Sequence, residues 1–111
     1  MTGRLAAEAC VECRPGSPRL GPAEVAALRA EVPGWVVVTR EGIDRVERVF
    51  SFANFVDALA FANRVGALAE SAGHHPAITV EWGRATVAWW THAIGGLHRN
   101  DFIMAARTDA L

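Results

Sequence analysis

The chain lacks the features that would direct it to a membrane or to a nucleic acid. No apolar run approaches the roughly 20 residues that a membrane-spanning helix requires, and residues 1–20 lack the apolar core of a signal peptide. The eleven basic residues are all Arg, and the net charge is −1, whereas a nucleic-acid surface needs a basic excess. We therefore expect a cytoplasmic protein with no nucleic-acid or membrane partner.

Cysteine is also scarce, with one pair, Cys10 and Cys13, in the run Cys-Val-Glu-Cys. Such a pair can be redox-active or supply half of a zinc site, but the chain has no second pair to complete one. The pair lies in residues 1–19, which contain several Gly and Pro and show no hydrophobic periodicity. We interpret residues 1–19 as a poorly ordered tail that binds no essential metal, and residues 20–111 as a single domain.

The remaining chain alternates helical and strand patterns. The clearest is an apolar stripe at three- and four-residue spacing, which predicts a helix that Asn54 caps and Gly73 ends. The order α-β-β-α-β-β-α predicts an α+β fold, a four-stranded antiparallel sheet with three helices on one face. The other face would carry Trp90 and favour a partner. The predicted elements are helices over 22–32, 55–72 and 98–110 and strands over 35–40, 45–52, 78–82 and 85–91.

All four histidines of the chain lie between positions 74 and 98. Pro76 favours an extended conformation at His75, so the adjacent pair His74-His75 connects a helix to a strand. His92 ends a later strand, and a hairpin between the two strands would bring three imidazoles together. Because imidazole changes charge near neutral pH, the cluster indicates proton transfer or a metal site. Adjacent side chains of an extended segment point to opposite sides, which disfavours a shared metal ion.

Other polar residues near the cluster allow a structural and a chemical interpretation. His98 is predicted to cap the last helix, with Asp101 three residues later as its capping-box partner or as a catalytic group. Glu70 lies in the last turn of a helix, where a carboxylate is mildly unfavourable, so we expect it to orient an imidazole. Trp82 is predicted to be core or pocket wall, able to stack on a flat heterocycle.

The spacing of these residues resembles the signature of the pterin-4a-carbinolamine dehydratases, whose animal members double as dimerisation cofactors of a homeodomain transcription factor. The signature residues are Glu70, His74-His75-Pro76, Trp82, Thr91-His92 and Asp101. The resemblance begins at about Leu20 and includes Pro33-Gly34-Trp35, Arg48 to Phe52 and Gly95-Gly96-Leu97. The chain departs from the family pattern at Gly73, Ala77 and Gly83, where polar residues are common.

The resemblance implies a hydro-lyase that converts 4a-hydroxytetrahydropterin to quinonoid dihydropterin in tetrahydropterin recycling, without a metal or organic cofactor. It implies a homodimer or homotetramer and a functional link to an aromatic amino-acid hydroxylase. The alternative is a non-catalytic protein-binding module, a coactivator or assembly factor, on the same fold. The resemblance assigns acid–base catalysis to His74, His75 and His92. It assigns substrate binding or support to Glu70, Pro76, Trp82, Thr91 and Asp101.

Overall fold

The computed structural model describes residues 2–12 and 14–111, so the predictions for Cys13 lie outside the described residues. Helices and strands alternate as the sequence predicted, with an additional short helix at the N-terminus. A single 3₁₀ turn separates the last strand from the last helix. The elements are α1 (Thr2–Ala6), α2 (Pro22–Ala30), β1 (Val36–Arg40), β2 (Ile43–Ser51), α3 (Phe55–Ala72), β3 (Ala77–Glu81), β4 (Arg84–Trp89), the 3₁₀ turn (His92–Ile94) and α4 (Arg99–Asp109).

The four strands form one antiparallel sheet in the order β1-β2-β4-β3, which confirms the predicted fold class. Two hairpins build it. The first turns at Glu41-Gly42, where both residues have positive φ (54° and 75°), as a two-residue primed turn requires. The second turns at Trp82-Gly83, with φ of 75° at Gly83. Pairing of β2 with β4 joins the hairpins and places β3 at a sheet edge.

The core lies between the helices and one face of the sheet. Trp89 of β4 is fully buried there and donates its indole N–H to the hydroxyl of Thr108 in α4, 3.2 Å away. The next residue, Trp90, points to the opposite face, because side chains alternate along a strand. There the guanidinium carbon of Arg45 lies 4.2 Å above the Trp90 ring. Among residues 2–12 and 14–111, no helix covers this face of the sheet, as predicted.

The N-terminal segment differs from the predicted poorly ordered tail. Leu5 of α1 is fully buried in the main hydrophobic core. Two ion pairs fasten the segment, Arg4 to Glu31 with 3.0 Å between Nε and Oε1, and Glu8 to Arg99 with 2.6 Å between Oε2 and Nη2. One buried leucine and a few polar anchors order a segment without any hydrophobic period, so periodicity alone did not reveal it.

Among residues 2–12 and 14–111, no helix is both long enough and apolar enough to cross a membrane.

Candidate active site

The connection between α3 and β3 carries the first two histidines. Helix α3 ends at Ala72, and Gly73 takes the left-handed conformation (φ 63°) that commonly terminates a helix. The backbone N–H of His74 then donates to the carbonyl of Ala69, 3.2 Å away, so His74 is held against the helix end. Because Ala77 of β3 pairs with Ala88 of β4, this connection lies beside the residues that follow β4. The pairing of β3 with β4 thus brings the segment of His74 and His75 beside that of His92, as predicted.

His74 is held by a buried carboxylate. Its side chain is 11% exposed, its Nε2 lies 2.6 Å from Oδ1 of Asp101, and its ring stacks on Trp89 with 5.8 Å between centroids. Asp101 is fully buried, and its Oδ2 accepts hydrogen bonds from the Thr91 hydroxyl (2.8 Å) and the His98 backbone N–H (3.0 Å). An ionised carboxylate can only accept hydrogen bonds. Beside an ionised Asp101, a neutral His74 therefore donates from Nε2 and carries its lone pair on Nδ1.

Asp101 also has the capping role that the sequence predicted for it. His98 is the N-cap of α4, and its Nδ1 accepts from the backbone N–H of Asn100 at 3.1 Å. Asp101 completes the capping box by accepting from the His98 backbone N–H. The structural and the chemical interpretation of Asp101 are therefore compatible, because its two oxygens face different partners.

The other two imidazoles of the cluster are more exposed. His75 Nε2 lies 2.6 Å from Oε1 of Glu70, with 59% and 79% of the two side chains exposed, and an ion pair so open to water contributes little stability. Glu70 thus contacts an imidazole, as expected. His92 Nε2 donates to the backbone carbonyl of His75 at 3.2 Å, and its ring stacks on Trp90 with 4.5 Å between centroids.

The three imidazoles line one cavity of about 480 Å³. This volume is typical of small-molecule sites. Glu70 and Asp101 stand behind the imidazoles that they contact, and Pro76 continues the connection to β3. Trp82 is 74% exposed in the β3–β4 turn and does not line the cavity, so in this chain it is neither core nor pocket wall. The predicted site residues that line the cavity are His74, His75, Thr91 and His92.

Sequence reasoning missed one side of this cavity. Cys10, Val11 and Glu12 of the N-terminal segment line it, and Asn100 of α4 does too. Burial raises the pKa of the Cys10 thiol, so the protonated form is favoured at neutral pH. No local pattern marks Asn100, and the N-terminal segment has no hydrophobic periodicity that would predict a place beside the site. Among the described residues, no group of three or more His, Cys, Asp or Glu side chains is arranged to hold a metal ion.

Comparison with known proteins gives this cavity its context. The family model described as pterin 4 alpha carbinolamine dehydratase matches residues 18–111. The chain belongs to the pterin-4-alpha-carbinolamine dehydratase family. It is accordingly an enzyme of the hydro-lyase class. A crystal structure described as a transcriptional coactivator/pterin dehydratase from Brucella melitensis has the same fold, with a TM-score of 0.74 and 28% identity, over 84% of this chain and 97% of that one.

Bacterial relatives of the dehydratase family are similar over almost the whole chain. A protein of Syntrophotalea carbinolica named "Putative pterin-4-alpha-carbinolamine dehydratase" is 55% identical over 108 residues, 97% of this chain and 96% of its own. A protein of Chlorobium limicola with the same name is 59% identical over 103 residues, 93% of this chain and 91% of its own. The first alignment necessarily includes most of residues 1–19. The similarity to this relative therefore begins well before Leu20, whereas the family model begins at residue 18.

Proposed function

We propose that this dehydratase converts 4a-hydroxytetrahydropterin to quinonoid dihydropterin by histidine acid–base catalysis, in the recycling of a tetrahydropterin. The observation that supports the proposal is the convergence of His74, His75 and His92 on one cavity, with His74 held by the buried Asp101. Imidazole suits both proton donation and proton acceptance near neutral pH, and positioned acid–base groups typically accelerate a reaction by about 10²–10⁴-fold.

The reaction needs one proton acceptor and one proton donor. The acceptor removes the proton from N5, and the electron pair of that N–H bond forms the new N5=C4a double bond. The C4a–O bond breaks with its electrons on oxygen, and the donor protonates this oxygen so that water leaves. Because the substrate loses water and is neither oxidised nor reduced, the conversion requires no electron acceptor.

His74 is the proton acceptor in this proposal. The carboxylate of Asp101 holds the proton on Nε2 and leaves the lone pair of Nδ1 for the substrate. Asp101 would also stabilise the imidazolium that forms, as a buried carboxylate does beside a catalytic histidine. His75 and His92 are the candidates for the donor, since both line the same cavity and are more open to water. Glu70 orients His75, and Thr91 orients Asp101.

The experiment is a dehydration assay on freshly generated 4a-hydroxytetrahydropterin, followed by the absorbance of the quinonoid product. We expect the purified chain to raise the rate well above that of the spontaneous reaction in the same buffer. An identical rate with and without the protein would contradict the proposal.

A binding module is the second candidate. The Brucella relative is described as both coactivator and dehydratase, and this chain has a sheet face without a helix on which Val36 and Val49 are exposed. Such a module would not need its histidines. Unchanged partner binding after loss of all three imidazoles, together with an inactive parent, would favour this candidate.

The resemblance supports three further proposals. We propose a homodimer or homotetramer, a cytoplasmic location, and a functional link to an aromatic amino-acid hydroxylase that consumes the recycled pterin.

A further inference from the structure

The N-terminal wall, defined as residues 8–12, closes one side of the cavity that holds the three imidazoles. Cys10, Val11 and Glu12 line the cavity from this side. The rest of the lining consists of the end of α3 with His74 and His75, of the residues that follow β4, and of Asn100. The wall thus belongs to the surface that any molecule in contact with the imidazoles would meet.

Asn100 fastens the centre of the wall. Its side chain is only 2% exposed, its Oδ1 accepts from the Val11 backbone N–H at 3.0 Å, and its Nδ2 donates to the Val11 carbonyl at 2.7 Å. This two-way pairing copies the exchange between two residues of an antiparallel ladder. It satisfies a buried amide that would otherwise be costly. Asn100 directly precedes Asp101, so one turn of α4 positions both the wall and the carboxylate behind His74.

Two arginines hold the start of the wall. Arg107 donates from Nη2 to the backbone carbonyl of Glu8 at 2.7 Å. Arg99 donates from Nε and Nη2 to the two carboxylate oxygens of Glu8, at 2.8 and 2.6 Å. All these anchors lie on α4, so the wall and the helix that carries Asp101 form one unit.

We infer that the N-terminal wall is a substrate-binding element and that Asn100 is the residue that positions it. This inference rests on the proposed function, since the molecule in the cavity would be the pterin. The wall supplies the protonated thiol of Cys10, the apolar side chain of Val11 and the carboxylate of Glu12, which is paired with Arg14, and it carries no imidazole. Its contribution is therefore contact with the pterin and exclusion of water from one side of it, with the proton transfers left to the histidines.

The test compares two variants that release the wall in different ways. Asn100→Ala removes both hydrogen bonds to Val11, and Val11→Pro removes the N–H donor while leaving α4 unchanged. We expect each to raise KM, and the Kd for the stable analogue 7,8-dihydrobiopterin measured by tryptophan fluorescence, by about tenfold, with kcat within about twofold of the parent. Arg4→Ala is the matched control, because it loosens the same segment at its far end from the cavity. It should leave KM and Kd unchanged.

A footprint that does not depend on turnover completes the test. In a Cys13→Ser background, saturating 7,8-dihydrobiopterin should slow the alkylation of Cys10 by iodoacetamide at least severalfold. An active parent whose Asn100→Ala and Val11→Pro variants keep its KM and Kd, with no protection of Cys10, would overturn this inference and leave the proposed function intact. An inactive parent that protects Cys10 would support the wall while contradicting the proposed chemistry. An inactive parent without protection would overturn both.

Discussion

The carboxylate of Asp101 has two roles, because it contacts the imidazole of His74 and also caps α4. Its Oδ1 contacts the imidazole of His74, while its Oδ2 caps α4 and accepts from Thr91. The helix cap therefore fixes the position of the carboxylate, and the carboxylate fixes the tautomer of His74. A side chain with so many donors around it tolerates little change, because an amide nitrogen in its place would face other donors.

Asp101→Asn should lower kcat by about 10- to 100-fold, because His74 loses the acceptor that sets its tautomer. The free energy of unfolding should also fall by about 1–3 kcal/mol, because one of the buried donors around position 101 is left without an acceptor. Steady-state rates and urea denaturation would measure the two effects.

His98→Ala separates these two effects. It removes the Nδ1 acceptor of the cap, so we expect about 1 kcal/mol of lost stability but turnover close to that of the parent. If His98→Ala lost as much turnover as Asp101→Asn, the effect of Asp101 would be structural and not chemical.

The end of α3 is the element that presents His74 and His75. Gly73 has φ of 63°, a conformation that side chains disfavour, whereas Gly66 lies inside the same helix. A Cβ built at either position meets no described atom within 4 Å, so only backbone conformation distinguishes the two sites.

Gly73→Ala should therefore destabilise the chain by about 1 kcal/mol, and it should also lower activity because the backbone of His74 is disturbed. Gly66→Ala should instead stabilise the helix by about 0.5–1 kcal/mol. Thermal unfolding of both variants checks this pair. A destabilised Gly66→Ala, or an unaffected Gly73→Ala, would be inconsistent with the assigned conformations.

Elements with a strong local signal were predicted from the sequence, and contacts between distant segments were not. Helix α3 has the predicted bounds, because its apolar stripe, its Asn54 cap and its Gly73 stop are all local. The pocket side formed by Val11 was missed, because its partner Asn100 lies 89 positions away and neither residue carries a motif. Trp82 was predicted to be core or pocket wall, yet it is 74% exposed at the tip of a hairpin, a position that its residue type alone does not reveal.

The contact between Glu8 and Arg99 should make the stability of the fold depend on pH. The hydrogen bond from Arg99 is the main cause that lowers the pKa of Glu8 below its ordinary 4.5. A lowered pKa in the folded state means that the contact stabilises the fold above the unfolded-state pKa, and that this contribution is lost as the pH falls through the folded-state pKa.

Glu8→Gln resembles the protonated residue, so the difference in unfolding free energy between parent and variant should shrink between about pH 6 and about pH 3. Urea denaturation of both proteins across that range measures the difference. A gap that stays constant or widens on acidification would count against the contact.

At the scale of the whole molecule, two groups of exposed apolar side chains are candidates for an interface between copies of the chain. Val36 and Val49 are exposed on the sheet face without helices, and Phe55, Val56 and Leu59 are exposed on the first turns of α3. Exposed apolar side chains that lie on one face of a sheet or helix favour association. We predict at least a dimer, with a mass of twice 11.9 kDa or more by light scattering. A monomer mass at micromolar concentration would refute this.

The central claim is that the imidazoles around one cavity carry the proton transfers of the dehydration. The most direct measurement is kcat on freshly generated 4a-hydroxytetrahydropterin for the parent, His74→Ala, His92→Ala and the double variant, with fold and size verified by circular dichroism and sizing. We predict that each single variant loses one to a few factors of ten in kcat, and that the double variant loses less than the product of the two. Full dehydratase rates in the His74→Ala and His92→Ala variants would contradict the claim.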